Sequence, residues 1–169
     1  MGILGKLVLF VSILVVASFL ADVAINEPVQ VETVLRRGEA KQYVQRGDLF
    51  FKEGNFAKAW IDYTRAIHLD YSYGKPWLQR GRVRLQQGRF LDARRQLILC
   101  MLKELSDEER AESFYLDAYC LKQLGEYSSA ISSARACLEL NSNHWAAQVL
   151  LGELQQRNRD TKTPASSNS

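Results

Sequence analysis

The sequence is poor in the residues that carry most enzyme chemistry. It has three cysteines, Cys100, Cys120 and Cys137, and two histidines, His68 and His144. No two cysteines form a Cys-x-x-Cys pair, so the usual ligand spacing of a zinc site is missing. Three small thiols of this kind fit the packed interior of helices, although two of them could pair in an oxidising compartment. No glycine-rich phosphate loop occurs, and no catalytic constellation forms around either histidine. The sequence therefore assigns no catalytic residue, metal ligand, cofactor or small-molecule substrate. Three prolines in 169 residues leave room for long helices. The net charge of +3 is too small to point to a nucleic acid.

One long apolar run is present. Lys6 precedes fifteen uncharged, mostly apolar residues, Leu7 to Ala21, and Asp22 follows. Crossing the hydrocarbon core takes about 20 residues. Residues 1–25 are thus expected to be an N-terminal apolar helix, either an uncleaved signal anchor or a cleaved signal peptide. Lys6 lies before the run and Asp22, Glu27 and Glu32 after it, so the positive-inside bias places the rest of the chain on the non-cytoplasmic side. That side is the lumen of the endoplasmic reticulum or a bacterial periplasm. Cleavage would instead give a secreted or luminal protein. Residues 26–39, with Pro28 and few large apolar residues after Val34, are expected to form a tether.

Self-comparison gives the strongest signal. Gly47, Gly54, Phe56 and Ala59 recur 34 residues later as Gly81, Gly88, Phe90 and Ala93. A third copy, Ala118, Gly125, Tyr127 and Ala130, lies 37 residues further on. The excess falls in residues 106–110, where Ser106 and Glu109 have the spacing of a capping box. Each copy reads as two helices, the first near 40–53, 74–87 and 109–124, the second near 56–69, 90–104 and 127–140. Gly54, Gly88 and Gly125 stand where a left-handed cap closes each first helix. Small residues recur where helices must approach closely: Ala59, Ala93 and Ala130, then Ala66, Cys100 and Cys137.

This pattern resembles the tetratricopeptide repeat (TPR) family. Trp77 with Gly81, Tyr43 with Gly47, and Phe114 with Ala118 match the opening of its 34-residue repeat. Arg46, Arg80 and Asp117 stand where the family has leucine, and Tyr71 and Ser142 replace its closing proline. The resemblance implies an all-α fold, a right-handed α-solenoid of three helix pairs over 40–73, 74–107 and 111–144. Residues 145–158 add an amphipathic capping helix, which closes a TPR domain of 40–158. The polar residues 159–169 are expected to be disordered. The runs Leu78–Ala93 and Arg135–His144 are also similar to the TPR part of the luminal co-chaperone that carries a J domain. This chain has no His-Pro-Asp motif of such a domain.

In the family the first helices line a concave groove for a protein or peptide partner. Carried over by position, the groove residues are Lys41, Val44, Asp48 and Phe51, then Lys75, Leu78, Gln79, Arg82 and Leu85, then Glu112, Tyr115, Leu116, Tyr119 and Lys122. Some family members grip a C-terminal carboxylate with a clamp of lysine, asparagine and arginine. The matching residues here are Val44, Asp48, Gln79, Glu112 and Leu116, none of which fits the clamp. Charge is also segregated. Residues 74–105 carry eight Lys or Arg against two acids, and 106–144 carry three against seven. Either the basic stretch meets an acidic partner or lipid headgroups, or neighbouring repeats neutralise each other. The expected function is a non-catalytic adaptor or chaperone-like client binder held to a membrane by its N-terminal segment. The alternative is a structural or assembly subunit of a membrane complex.

Overall fold

The computed structural model describes residues 31–162. The expected apolar helix over 1–25 and the tail beyond 162 lie outside them. The chain divides into two compact units after Gly38. Of the first unit, residues 31–38 are helical, although they belong to the expected tether. Glu32 and Arg36 form an i,i+4 ion pair there, 2.7 Å apart.

The second unit is helical. Its elements are α1 (residues 39–52), α2 (Phe56–Leu69), α3 (Lys75–Gln86), α4 (Phe90–Met101), α5 (Asp107–Gln123), α6 (Tyr127–Leu140) and α7 (Trp145–Lys162). They form three antiparallel pairs and a seventh helix. The fold class is thus an all-α solenoid of helix pairs.

The turns within the pairs follow from three glycines. Gly54, Gly88 and Gly125 have φ of 75°, 69° and 81°, a region costly for residues with a Cβ. Each stands just after a first helix and reverses the chain within a few residues. The longer junction before α5 is held by the capping box. Ser106 Oγ accepts from Glu109 N at 3.2 Å, and Ser106 N donates to Glu109 Oε2 at 3.1 Å. The helix therefore starts at Asp107, two residues before its expected position. α4 stops at Met101, short of residue 104, because the chain leaves the helix to pair with the loop before α3. Glu104 N donates to Ser72 O at 2.9 Å, and Gly74 N donates to Glu104 O at 3.0 Å. α7 runs to Lys162 instead of 158.

The core runs along the axis between the helices and crosses each repeat boundary. Ala40, Val44, Ala59, Tyr63 and Ala66 of the first pair enclose Val83 of α3. Trp77, Leu78, Leu97 and Cys100 of the second pair enclose Leu116 and Cys120 of α5. Leu121, Ala130, Ile131 and Ala134 of the third pair enclose Leu150 and Leu154 of α7. Each boundary is thus a packed interface, and a buried leucine at one contributes about 1.5–3 kcal/mol. The three cysteines are buried and unpaired. Burial pushes the thiols of Cys100, Cys120 and Cys137 up to about 11, 12 and 11.

Two of the three departures from leucine are met by hydrogen-bonded ion pairs, and the third stacks on an aromatic ring with its Nε buried without a hydrogen-bond partner. Arg46 grips the buried Asp62 of α2 with two bonds, 2.6 and 2.7 Å. Asp117 accepts from Arg94 Nε at 3.1 Å and from Ser133 Oγ at 2.7 Å. The Arg80 guanidinium lies 3.9 Å from the centroid of Trp60, which Arg84 also approaches at 4.0 Å.

Candidate partner-binding groove

Helices α1, α3 and the start of α5 meet along one side of the second unit. They enclose a concavity of about 610 Å³. Five of the expected groove residues line it together: Asp48, Phe51, Lys75, Gln79 and Arg82, with Leu78 and Glu112 from the wider set. The spacing explains this convergence. Positions 48 and 51, 75 and 82, and 109 and 112 are one or two turns apart on their helices and so share a face.

Asp48, Gln79, Arg82 and Glu112 are held by hydrogen bonds before any partner arrives. Tyr63 Oη donates to Asp48 Oδ1 at 2.8 Å, and Gln79 Nε2 donates to the same oxygen. Burial, then the bond to Asp48, raises the Tyr63 phenol well above its ordinary range. Arg82 Nη2 donates to Glu112 Oε1 at 2.8 Å. His144 Nδ1 accepts from Ala147 N at 3.2 Å, which leaves Nε2 as the donor to Glu112 Oε2, also at 3.2 Å. Glu112 therefore ties α3 to the start of α7 through α5.

The remaining expected residues fall elsewhere. Val44 is only 2% exposed and belongs to the core, so it does not face the groove. Helical spacing puts it on the face of Asp48 and Phe51, but Ala59, Tyr63 and Ala66 of α2 and Val83 of α3 cover it. Lys41 is exposed but does not line the concavity. Tyr115 packs on His144 with ring centroids 4.9 Å apart, and burial raises its phenol. Tyr119 meets the edge of Phe90 on α4. Lys122 pairs with Glu153 of α7. These three extend along α5 away from the concavity.

Four residues that the positional carry-over missed also line it: Lys52, Ser106, Glu108 and Glu109. The signal was present in the three-residue excess before α5. That insertion lengthens the junction and turns the first acidic turn of α5 toward α1 and α3. Four acids now face three bases: Asp48, Glu108, Glu109 and Glu112 against Lys52, Lys75 and Arg82.

The segregated charge meets across the repeat boundary. Arg82 pairs with Glu112, and Arg94 pairs with Asp117 at 3.1 Å and approaches Glu126 at 3.8 Å. Basic second-repeat residues are thus partly neutralised by acidic third-repeat ones. Among the described residues no group of His, Cys, Asp and Glu could hold a metal ion, and no helix is long and apolar enough to cross a membrane.

Antiparallel helix pairs stacked in register around a side groove define an α-solenoid. Residues 111–144 match the tetratricopeptide repeat model, and the fold is a TPR fold. A search of curated proteins finds no match. The chain is similar to the Arabidopsis OM64 TPR domain (20% identity, TM-score 0.66, covering 72% of this chain and 98% of that one). It is similar to the first TPR of Spaghetti (RPAP3) bound to HSP90 peptide SRMEEVD (19% identity, TM-score 0.67, covering 72% and 94%). A third is the Yersinia enterocolitica type III secretion chaperone SycD in complex with a peptide of the translocator YopD (18% identity, TM-score 0.63, covering 70% and 93%).

Proposed function

We propose that this chain is a non-catalytic protein-interaction adaptor that takes a peptide or partner helix in the groove of α1, α3 and α5. The observation that carries this reading is the concavity itself. It combines an apolar floor of Phe51 and Leu78 with polar groups already held in place, so a partner is recognised at little ordering cost. Peptide-bound solved neighbours support a protein or peptide as the partner.

The partner differs from an acidic C-terminal tail. The clamp positions hold Val44 and Leu116, both in the core, and Asp48, Gln79 and Glu112, none of them a cation. Asp48 and Glu112 repel a carboxylate placed there. The excess of acids along the α5 wall favours a partner segment carrying Lys or Arg.

The adaptor works on the non-cytoplasmic side of a membrane, held there or delivered there by residues 1–25. This part rests on the apolar run and its flanking charges alone. A client-binding, chaperone-like role and a structural role in a membrane complex both fit such an adaptor. The test is partner capture by the full chain. Phe51→Ala with Glu108→Lys is expected to lower capture at least about tenfold while helicity is kept. Unchanged capture in that double variant would remove the groove from the account.

A further inference from the structure

The seventh helix continues the repeat phase. Counting from the repeat starts at residues 40, 74, 111 and 145, three positions recur. The first is Ala40, Gly74, Ala111 and Trp145; the fifth is Val44, Leu78, Tyr115 and Val149; the eighth is Gly47, Gly81, Ala118 and Gly152. In the three complete pairs these positions are buried or half-buried. In α7 the same face is open, with Trp145 74% and Val149 53% exposed.

The glycines show what is missing. A Cβ on Gly47 would lie 2.6 Å from the Tyr63 ring of α2, and one on Gly81 would lie 2.9 Å from Leu97 of α4. A Cβ on Gly152 would meet nothing within 4 Å. A glycine in a helix interior weakens the helix relative to alanine, and here no close approach within the second unit compensates. Gly152 is therefore a socket of the kind that α2 and α4 fill in their own repeats. Residues 163–169, Thr-Pro-Ala-Ser-Ser-Asn-Ser, carry no large apolar side chain.

We propose that this open end of the solenoid is covered by α7 of a second copy of the chain, packed antiparallel. A two-fold interface requires one patch to complement itself, and this face does so. Trp145 is a large exposed knob and Gly152 an unfilled hole, seven residues apart, which is about two helical turns or roughly 10 Å. Antiparallel pairing about an axis near residues 148 and 149 places each Trp145 over the partner's Gly152, with the two Val149 side chains between. The flanking residues Gln148 and Gln156 are neutral, and Glu153 is already paired with Lys122, so no like charges are forced together. The contact continues the internal surface along which the first, fifth and eighth positions pack in every complete repeat.

Photo-crosslinking of the full chain tests this. Gln156 is exposed one turn beyond Gly152, and the native thiols are buried, so Gln156→Cys takes a benzophenone maleimide selectively. Irradiation is expected to give a covalent dimer, joined to the end of α6 or the first turn of α7 in the second copy. Trp145→Ala in the same background should cut the yield at least about tenfold, with helicity unchanged because Trp145 is exposed. Absence of a covalent dimer, adducts to residues 1–30 of the same chain, or a yield indifferent to Trp145→Ala would each overturn the proposal.

Discussion

Arg82 and Glu112 join the second repeat to the third, with Nη2 2.8 Å from Oε1. The pair lies on the groove wall and is also the most direct link between the basic and acidic stretches. It is part-exposed, 39% for Arg82 and 25% for Glu112, so its coupling is expected to be about 0.5–1 kcal/mol. A double-mutant cycle with Arg82→Ala and Glu112→Ala, followed by urea unfolding, measures it. The coupling should shrink as salt approaches about 1 M.

Close packing at the repeat glycines gives a second prediction. Gly47→Ala places a methyl against the Tyr63 ring and should cost about 1–3 kcal/mol. Gly88→Ala meets open space but must adopt a φ of 69°, which costs about 1 kcal/mol. Thermal unfolding of both variants beside the parent chain separates a steric cost from a conformational one.

The sequence carried most of the fold in plain form because the repeat phase is geometric. Glycine closes each first helix and alanine lets the pair approach, so Gly54, Gly88 and Gly125 located three turns and six helices to within a few residues. Boundaries that depend on partners far along the chain were less legible. α4 ends early because Ser72 and Gly74 compete for the backbone of Glu104, which no local pattern announces. The groove was half legible. Asp48, Phe51, Lys75, Gln79 and Arg82 follow from helical spacing, but Val44, on the same helical face as Asp48 and Phe51, is covered by Ala59, Tyr63 and Val83, and spacing alone does not show that cover. Glu108 and Glu109 enter through the direction taken by an insertion, and spacing alone does not give a direction. The charge segregation had two readings, and Arg82–Glu112 with Arg94–Asp117 favours mutual neutralisation of neighbouring repeats.

The thiols should respond to folding and to pH. In the native chain Cys100, Cys120 and Cys137 should resist a thiol reagent at pH 8, and all three should react once urea unfolds it. Their folded values of about 11 to 12 lie above the ordinary value of 9.0. The unfolded chain therefore releases these protons first as pH rises. Their contribution to stability is fully present below pH 9.0 and is lost as pH climbs through about 11 to 12. Urea midpoints across the alkaline range, compared with a Cys→Ala variant at all three positions, isolate this contribution.

An acidic C-terminal peptide should bind poorly. With Asp48 and Glu112 at the clamp positions, a fluorescent peptide ending in Glu-Glu-Val-Asp is expected to show no saturable binding in the micromolar range. Asp48→Asn with Glu112→Lys should raise its affinity by removing repulsion and adding a cation. Fluorescence anisotropy reads both outcomes.

The central claim is that partners sit in the concavity of α1, α3 and α5. A photo-reactive residue at Lys75, inside it, and another at Arg95, 77% exposed on α4 and outside it, put this to the most direct test. With the full chain in its native cells, the account predicts partner adducts from position 75 and few from position 95, with Phe51→Ala suppressing those from 75. Adducts that form equally from both positions, or only from 95, would contradict it.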